Sequence, residues 1–192
     1  MTPFEYSLGL ISILMSLALA DIVMSFHRLM RRFHSVKWDG RVLLAAGLVI
    51  LEIIRMWFAQ WTLRNLGVAL EFPIYVALFG QILLLVLTAA ACLPDEVGEG
   101  CDLHRFYESN RRYFWGAFAA SQAAYFGLWL IIGGGQASVG GAVGAMDWFR
   151  MLAPLAAFVV LAIVRWKLLD YALPTLLVVF YAWRYWTQAL VA

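Results

Sequence analysis

The sequence is poor in charge. Asp, Glu, Lys and Arg together make up 14% of the 192 residues, against about 25% in soluble domains. That scarcity removes the usual means of keeping a globular surface in water. With a net charge of +2 there is no basic face large enough to neutralise many phosphates, which argues against a nucleic-acid partner. Cysteine is scarce as well. Cys92 and Cys101 stand alone, fit no zinc or C-x-x-C spacing, and read as free thiols on the reducing side of a membrane. Also missing are a phosphate-binding glycine loop, a dinucleotide fingerprint, an HExxH helix and a nucleophile elbow. No catalytic residue, metal ligand or cofactor is therefore assigned. His27, His34 and His104 fall at or beyond the ends of apolar runs and read as surface histidines, not as ligands of a haem or metal.

What is abundant is apolar. Hydrophobic residues reach 64% and aromatics 16%, with nine Trp, whereas soluble domains hold about 45–50% apolar residues. A chain in lipid must satisfy its own backbone hydrogen bonds, as helices or as a closed barrel. The apolar runs here are long and do not alternate, so the fold class is all-α: a polytopic transmembrane bundle of about six helices in a single domain. The spans expected from runs of about 20 residues are 7–26, 42–61, 72–92, 113–132, 148–164 and 168–190. Pro73 suits a first helical turn, and Pro154 and Pro174 are tolerable within packed membrane helices. Ala18-Leu19-Ala20 looks like a signal-peptidase site, but no basic segment precedes it, so the first run reads as a retained helix.

Arg28, Arg31, Arg32, Lys37, Arg41, Arg105, Arg111, Arg112, Arg165 and Lys167 are ten of the fourteen Lys and Arg. With six spans they fall on one side, which the positive-inside rule makes cytoplasmic. Both termini are then extracytoplasmic. Residues 102–112 read as an interfacial amphipathic helix with Asp102 as its N-cap, and the Gly-rich 133–144 segment as a flexible outer linker. Two stripes of small residues, Ser12, Ser16 and Ala20 in the first span and Gly116, Ala120 and Ala124 in the fourth, suit close helix packing.

Ionisable and amide residues inside spans are the candidates for function, because lipid penalises them unless they are paired or hydrated. Glu52 lies eleven residues beyond Arg41, about 16 Å along a helix and near mid-membrane. Arg55 follows at i+3, within reach on the same face. The pair is either a packing device or an ion site whose carboxylate is released in turn. Arg184 lies in an aromatic belt, Tyr181 to Trp186, as a snorkelling anchor or a second cation. Asp21 is in the inner half of the first span, and Gln81 and Gln122 are near mid-membrane in the third and fourth, where amides usually bond between helices.

The opening GLISILMSLALADIVMSFHRLMRR, Trp61-Thr62-Leu63-Arg64, Cys92-Leu93-Pro94-Asp95 and FYESNRRYFWG together resemble a group of short, functionally uncharacterised six-helix bacterial inner-membrane proteins. The resemblance implies a bacterial cytoplasmic membrane, multi-pass, and carries over no catalytic residue. Two functions fit. One is a small transporter or channel for an ion, proton or small solute, implying a homo-oligomer, with Asp21, Glu52, Arg55, Gln81, Gln122 and Arg184 around a polar cavity. The other is a non-transporting membrane subunit or sensor coupled to a cytoplasmic protein partner through residues 28–41 and 102–114. In both, the partner common to every span is the lipid bilayer.

Overall fold

The computed structural model describes residues 3–65, 72–98, 100–136 and 145–186. It is all-helical: α1 (Pro3–Arg31), α2 (Gly40–Asn65), α3 (Phe72–Cys92), α4 (Leu103–Gln136), α5 (Ala145–Ile163) and α6 (Lys167–Trp186), with a short 3-10 turn at Phe33–Ser35. Three stretches, Leu8–Arg31, Gly40–Ala59 and Phe72–Cys92, are long and apolar enough to cross a membrane. The apolar run of α5, Met151–Ile163, is shorter than the roughly 20 residues a straight crossing requires.

Helix contacts close a circuit. In order α1 meets α3, α3 meets α4, α4 meets α5, α5 meets α6, α6 meets α2 and α2 meets α1. The second helix also reaches across to α3 and α4, which makes it the inner member. Its buried set, Arg41, Val42, Ala45, Ala46, Leu48, Val49, Glu52, Ile53, Arg55 and Met56, covers far more of its circumference than a single seam. The first helix differs. Its buried residues are Ile11, Met15, Ala18, Ile22, Ser25 and Leu29, an alternating four-and-three spacing that gives one narrow heptad stripe. The other faces of α1 expose Ile13, Leu17, Val23 and Met24. Water would disfavour such a surface, whereas lipid does not.

The small-residue stripes do not mediate the packing expected of them. Ser16 and Ala20 are exposed on α1, beside its heptad seam. On α4 a Cβ added at Gly116 or Gly127 would meet nothing within 4 Å, so no neighbouring backbone comes close there. Large aromatics pack this helix instead. Phe118 stacks on Phe158 of α5 at 4.1 Å between ring centroids, with Trp115 5.9 Å from Phe158 in a near-parallel stack. Among the described glycines only Gly40 has a neighbour this close, since a Cβ there would lie 3.4 Å from Tyr171.

The expected interfacial helix over 102–112 is the first turns of α4 itself, which runs unbroken for 34 residues, about 51 Å. Leu103, Tyr107, Arg111 and Phe114 are buried at helical spacing, so this face turns into the bundle. Asp102 caps the helix, accepting a bond from the Arg105 backbone N–H at 3.1 Å. Of the glycine-rich segment, 133–136 belongs to α4 and 137–144 lies outside the described residues. The α5–α6 link is the three residues 164–166, a tight connection, but α6 packs more extensively on α2 than on α5.

Three segments that carry basic residues meet at one end of the bundle. Lys37 N–H donates to the Cys101 carbonyl at 2.9 Å and Leu103 N–H to the Lys37 carbonyl at 3.1 Å. Arg111 of α4 bonds to the last carbonyls of α5, and Arg41 reaches Asp170 at the start of α6. Hence α2 with α3, and α4 with α5, are out-and-back pairs that return to the same end.

The aromatic stack gives the first test of this packing. Phe118→Ala should lower stability by roughly 3 kcal/mol or more, as for other buried Phe truncations. Phe149→Ala, on an exposed face, should change little. Thermal unfolding in a mild detergent would compare them, and equal losses would contradict the packing described.

Candidate functional site

Polar side chains gather at two levels along α2. The inner level is built on Glu52, which is 0% exposed. Its i+3 neighbour Arg55 lies on the same helix face and donates Nε–H to Glu52 Oε2 at 2.7 Å, with a second bond from Nη2 to Oε1. This forked pairing uses the planar geometry of guanidinium and carboxylate. From α4, Gln122 donates its amide to Glu52 Oε1. Arg55 lies 4.5 Å from the ring centroid of Tyr125 on α4 and 5.8 Å from that of Tyr181 on α6, distances at which a cation is attracted to the ring face.

The third helix contributes Gln81, whose amide approaches Met56 Sδ at 3.5 Å, while Arg55 Nη2 lies 3.2 Å from the same sulfur. Ser121 of α4 donates to the Gln81 carbonyl at 3.5 Å. The Gln81 side-chain oxygen is buried with no hydrogen-bond partner, which is costly in an apolar surrounding. Four helices thus direct polar groups to one place. Beside Arg55 there is a cavity of about 20 Å³, lined among others by Gln122, Tyr125, Tyr181 and Pro154. That is room for one water.

The outer level is centred on Arg41, which is buried at the first turn of α2. Arg41 Nη2 and Nε grip Asp39 at 2.7 and 3.2 Å, and Nη1 bonds Glu108 of α4 at 2.8 Å and approaches Asp170 of α6 at 3.4 Å. The face of Tyr107 covers the guanidinium at 4.6 Å. Arg111 ties in the remaining helix. It donates to the carbonyls of Leu161, at 2.9 Å, and Val164, where α5 ends and its carbonyls lack helical partners. The same guanidinium lies 2.9 Å from Asp170 Oδ1. At the rim, His104 Nδ1 is 3.1 Å from Asp39 Oδ2.

Of the six residues singled out from the sequence, Glu52, Arg55 and Gln122 meet directly, and Gln81 joins them through Met56. Asp21 is half-buried on α1 and takes part in neither level. Arg184 is in α6, and its side chain lies outside the described residues. The outer level was not foreseen. Its basic members read only as topology signals, and its contacts join residues 67 and 129 positions apart, which no local spacing displays. The available hint was that Asp39, Glu108 and Asp170 occur within or beside the basic segments. Cys92 and Cys101 are both free thiols. Among the described residues no three His, Cys, Asp or Glu side chains form a set able to hold a metal.

Two tests follow from the electrostatics. Glu52→Leu would leave Arg55 buried without its counter-charge and should cost about 3–5 kcal/mol, whereas Glu52→Leu with Arg55→Met should recover most of that. Thermal unfolding of the single and double variants decides it, and equal destabilisation would refute the pairing. Burial works to raise the pKa of Asp39, but the bonds from Arg41, aided by His104, outweigh it and hold the pKa at about 2, below its ordinary 3.8. Ionised Asp39 therefore stabilises the fold above about pH 4, and that contribution is lost as pH falls through about 2. Asp39→Asn should flatten the acid limb of a stability–pH profile over that window. A limb of unchanged steepness would show that Asp39 does not carry it.

The chain matches no protein-family model, and no curated protein and no solved structure is detectably similar to it.

Proposed function

We propose that this chain is a small multi-pass membrane transporter of a proton, ion or small polar solute, with Glu52, Arg55 and Gln122 as its site. The observation that carries the reading is the convergence of Arg55 of α2, Gln122 and Tyr125 of α4 and Tyr181 of α6 on one water-sized cavity, with Glu52 bonded to both Arg55 and Gln122. Buried ionisable groups at membrane depth are expensive and mark pathways more often than packing. The reading takes all six helices as spans, α4 to α6 included. The end where the basic segments meet then faces the cytoplasm by the positive-inside rule, and both termini lie outside, in a bacterial inner membrane.

In this reading the structure is an occluded state. Glu52 is neutralised by Arg55, and a proton or cation arriving at the carboxylate would take over the role of the guanidinium. Arg55 can turn toward Tyr125 and Tyr181, whose rings already flank it. Pro154 borders the cavity and Pro174 lies in α6. Each lacks an N–H and leaves a carbonyl one turn back without its helical donor, which weakens the helix there. Those two helices are the ones suited to move away from α2.

The alternative, a non-transporting subunit or sensor, is favoured by one observation: both Glu52 oxygens are already bonded within the bundle. Flux measurements separate the two. Purified protein in liposomes should pass protons or small ions above the rate of empty vesicles, and Glu52→Gln, close in shape but uncharged, should fall toward the empty-vesicle rate. If the unmodified protein leaks no more than empty vesicles across a panel of ion gradients, transport is wrong and the subunit reading stands.

A further inference from the structure

The corner where α4 passes the α5–α6 link carries charge that nothing among the described residues answers. Arg111 donates to the Leu161 and Val164 carbonyls, so α4 and the end of α5 are in contact at that level. The residues that follow each of these, Arg112 on α4 and Arg165 in the link, come to the surface of the same corner, with Lys167 opening α6. All three are exposed, and none makes an ion pair or hydrogen bond among the described residues. The nearby carboxylates are engaged elsewhere. Asp170 is buried between Arg111 and Arg41, and Glu108 is bonded to Arg41.

Large apolar side chains are interleaved with these cations. Ile163 is 68% exposed, Trp166 69% and Leu168 79%, and Tyr113 adjoins Arg112. In water such a patch would be an aggregation hazard. Phosphates accept bonds from Arg and Lys, Trp and Tyr settle at headgroup depth, and exposed aliphatics suit acyl chains. Clustered basic residues at the end of a span are drawn toward an anionic leaflet.

We propose that this corner, Arg112, Arg165 and Lys167 with Trp166 between the last two, is a binding site for the phosphate headgroup of an anionic phospholipid. The alternation of cation and apolar residue within 163–168 favours a lipid over a soluble phosphate, which would have no use for the apolar members. A headgroup held here bridges α4 to the α5–α6 link from outside, beside the bridge that Arg111 makes from within. The inference rests on this corner lying at a membrane surface and not on what the protein transports.

The test uses the full chain purified in detergent and native mass spectrometry with added phosphatidylglycerol or phosphatidylcholine. The protein should retain phosphatidylglycerol roughly tenfold more readily than phosphatidylcholine, equivalent to about 1.4 kcal/mol. Arg112→Gln/Arg165→Gln/Lys167→Gln should abolish that preference. Arg31→Gln/Arg32→Gln/Lys37→Gln, three cations removed from another part of the basic end, should keep it. Thermal unfolding in phosphatidylcholine alone verifies that both variants fold. An equal loss in the two triple variants would reduce the effect to bulk charge and overturn the site, as would no preference in the parent protein. Displacement of the lipid by millimolar inorganic phosphate would make it a soluble-anion site instead. Each result is independent of the flux assay, so neither proposal can mask failure of the other.

Discussion

A guanidinium removed from water must be met by acceptors, because its charge cannot be shed as a lysine's can. Two arginines on α2 are buried in this way, Arg41 and Arg55. Most other polar placements in the bundle can be understood as answers to them. Arg41 is answered by Asp39 on the preceding turn, Glu108 on α4 and Asp170 on α6. Arg55 is answered by Glu52 on its own helix and by the ring faces of Tyr125 and Tyr181. The helices that supply these groups are those that contact α2, and the inward position of α2 follows, since an outer helix could not collect partners from so many sides.

The two levels are unlike in composition. Around Arg41 and Arg111 there are three carboxylates for two guanidiniums, and the surplus negative charge is offset by bonds and by proximity to water at His104 and Glu108, both partly exposed. The Glu52–Arg55 level is balanced one to one and excludes water except for its small cavity. A balanced pair loses less on burial than a surplus does. The position of each level follows from this: the balanced pair sits deep, the unbalanced network at the end of the bundle.

What could be read from the sequence was what depends on short range. The helices appear because their apolar runs are continuous, the Glu52–Arg55 contact because i and i+3 share a face, and the Asp102 cap because a side-chain oxygen three residues before a free N–H is a local arrangement. That Gln122 bonds between helices was also legible, since an amide within an apolar run needs a partner, but its bond to Glu52 spans 70 positions and no pattern along the chain indicates which partner it takes. The same limit hid the Arg41 network. Arg41 and Arg111 carry the composition of a basic loop, and only the folding back of α4, α5 and α6 onto one end reveals that they are buried. The small-residue stripes misled for the opposite reason. They are a local signal for close packing, but the aromatic stack of Phe118 and Phe158 holds α4 and α5 at a distance set by rings, and the glycines beside it have nothing to approach.

The pairing of α2 with α6 links the levels. Both helices begin at the basic end, so they run parallel, and they touch at both levels: Arg41 with Asp170 near the start of α6, and Arg55 with Tyr181 further along. Were α6 a uniform rod, withdrawing Tyr181 from Arg55 would lever Asp170 out from between Arg41 and Arg111, leaving buried charges unmatched. Pro174 lies between those two contacts, where its missing N–H loosens the helix one turn after Asp170. The part of α6 beyond Pro174 can therefore move at the Glu52–Arg55 level while the ion pairs at its start stay closed. Pro174 thus separates the contact that anchors α6 at Arg41 and Arg111 from the contact it makes with Arg55.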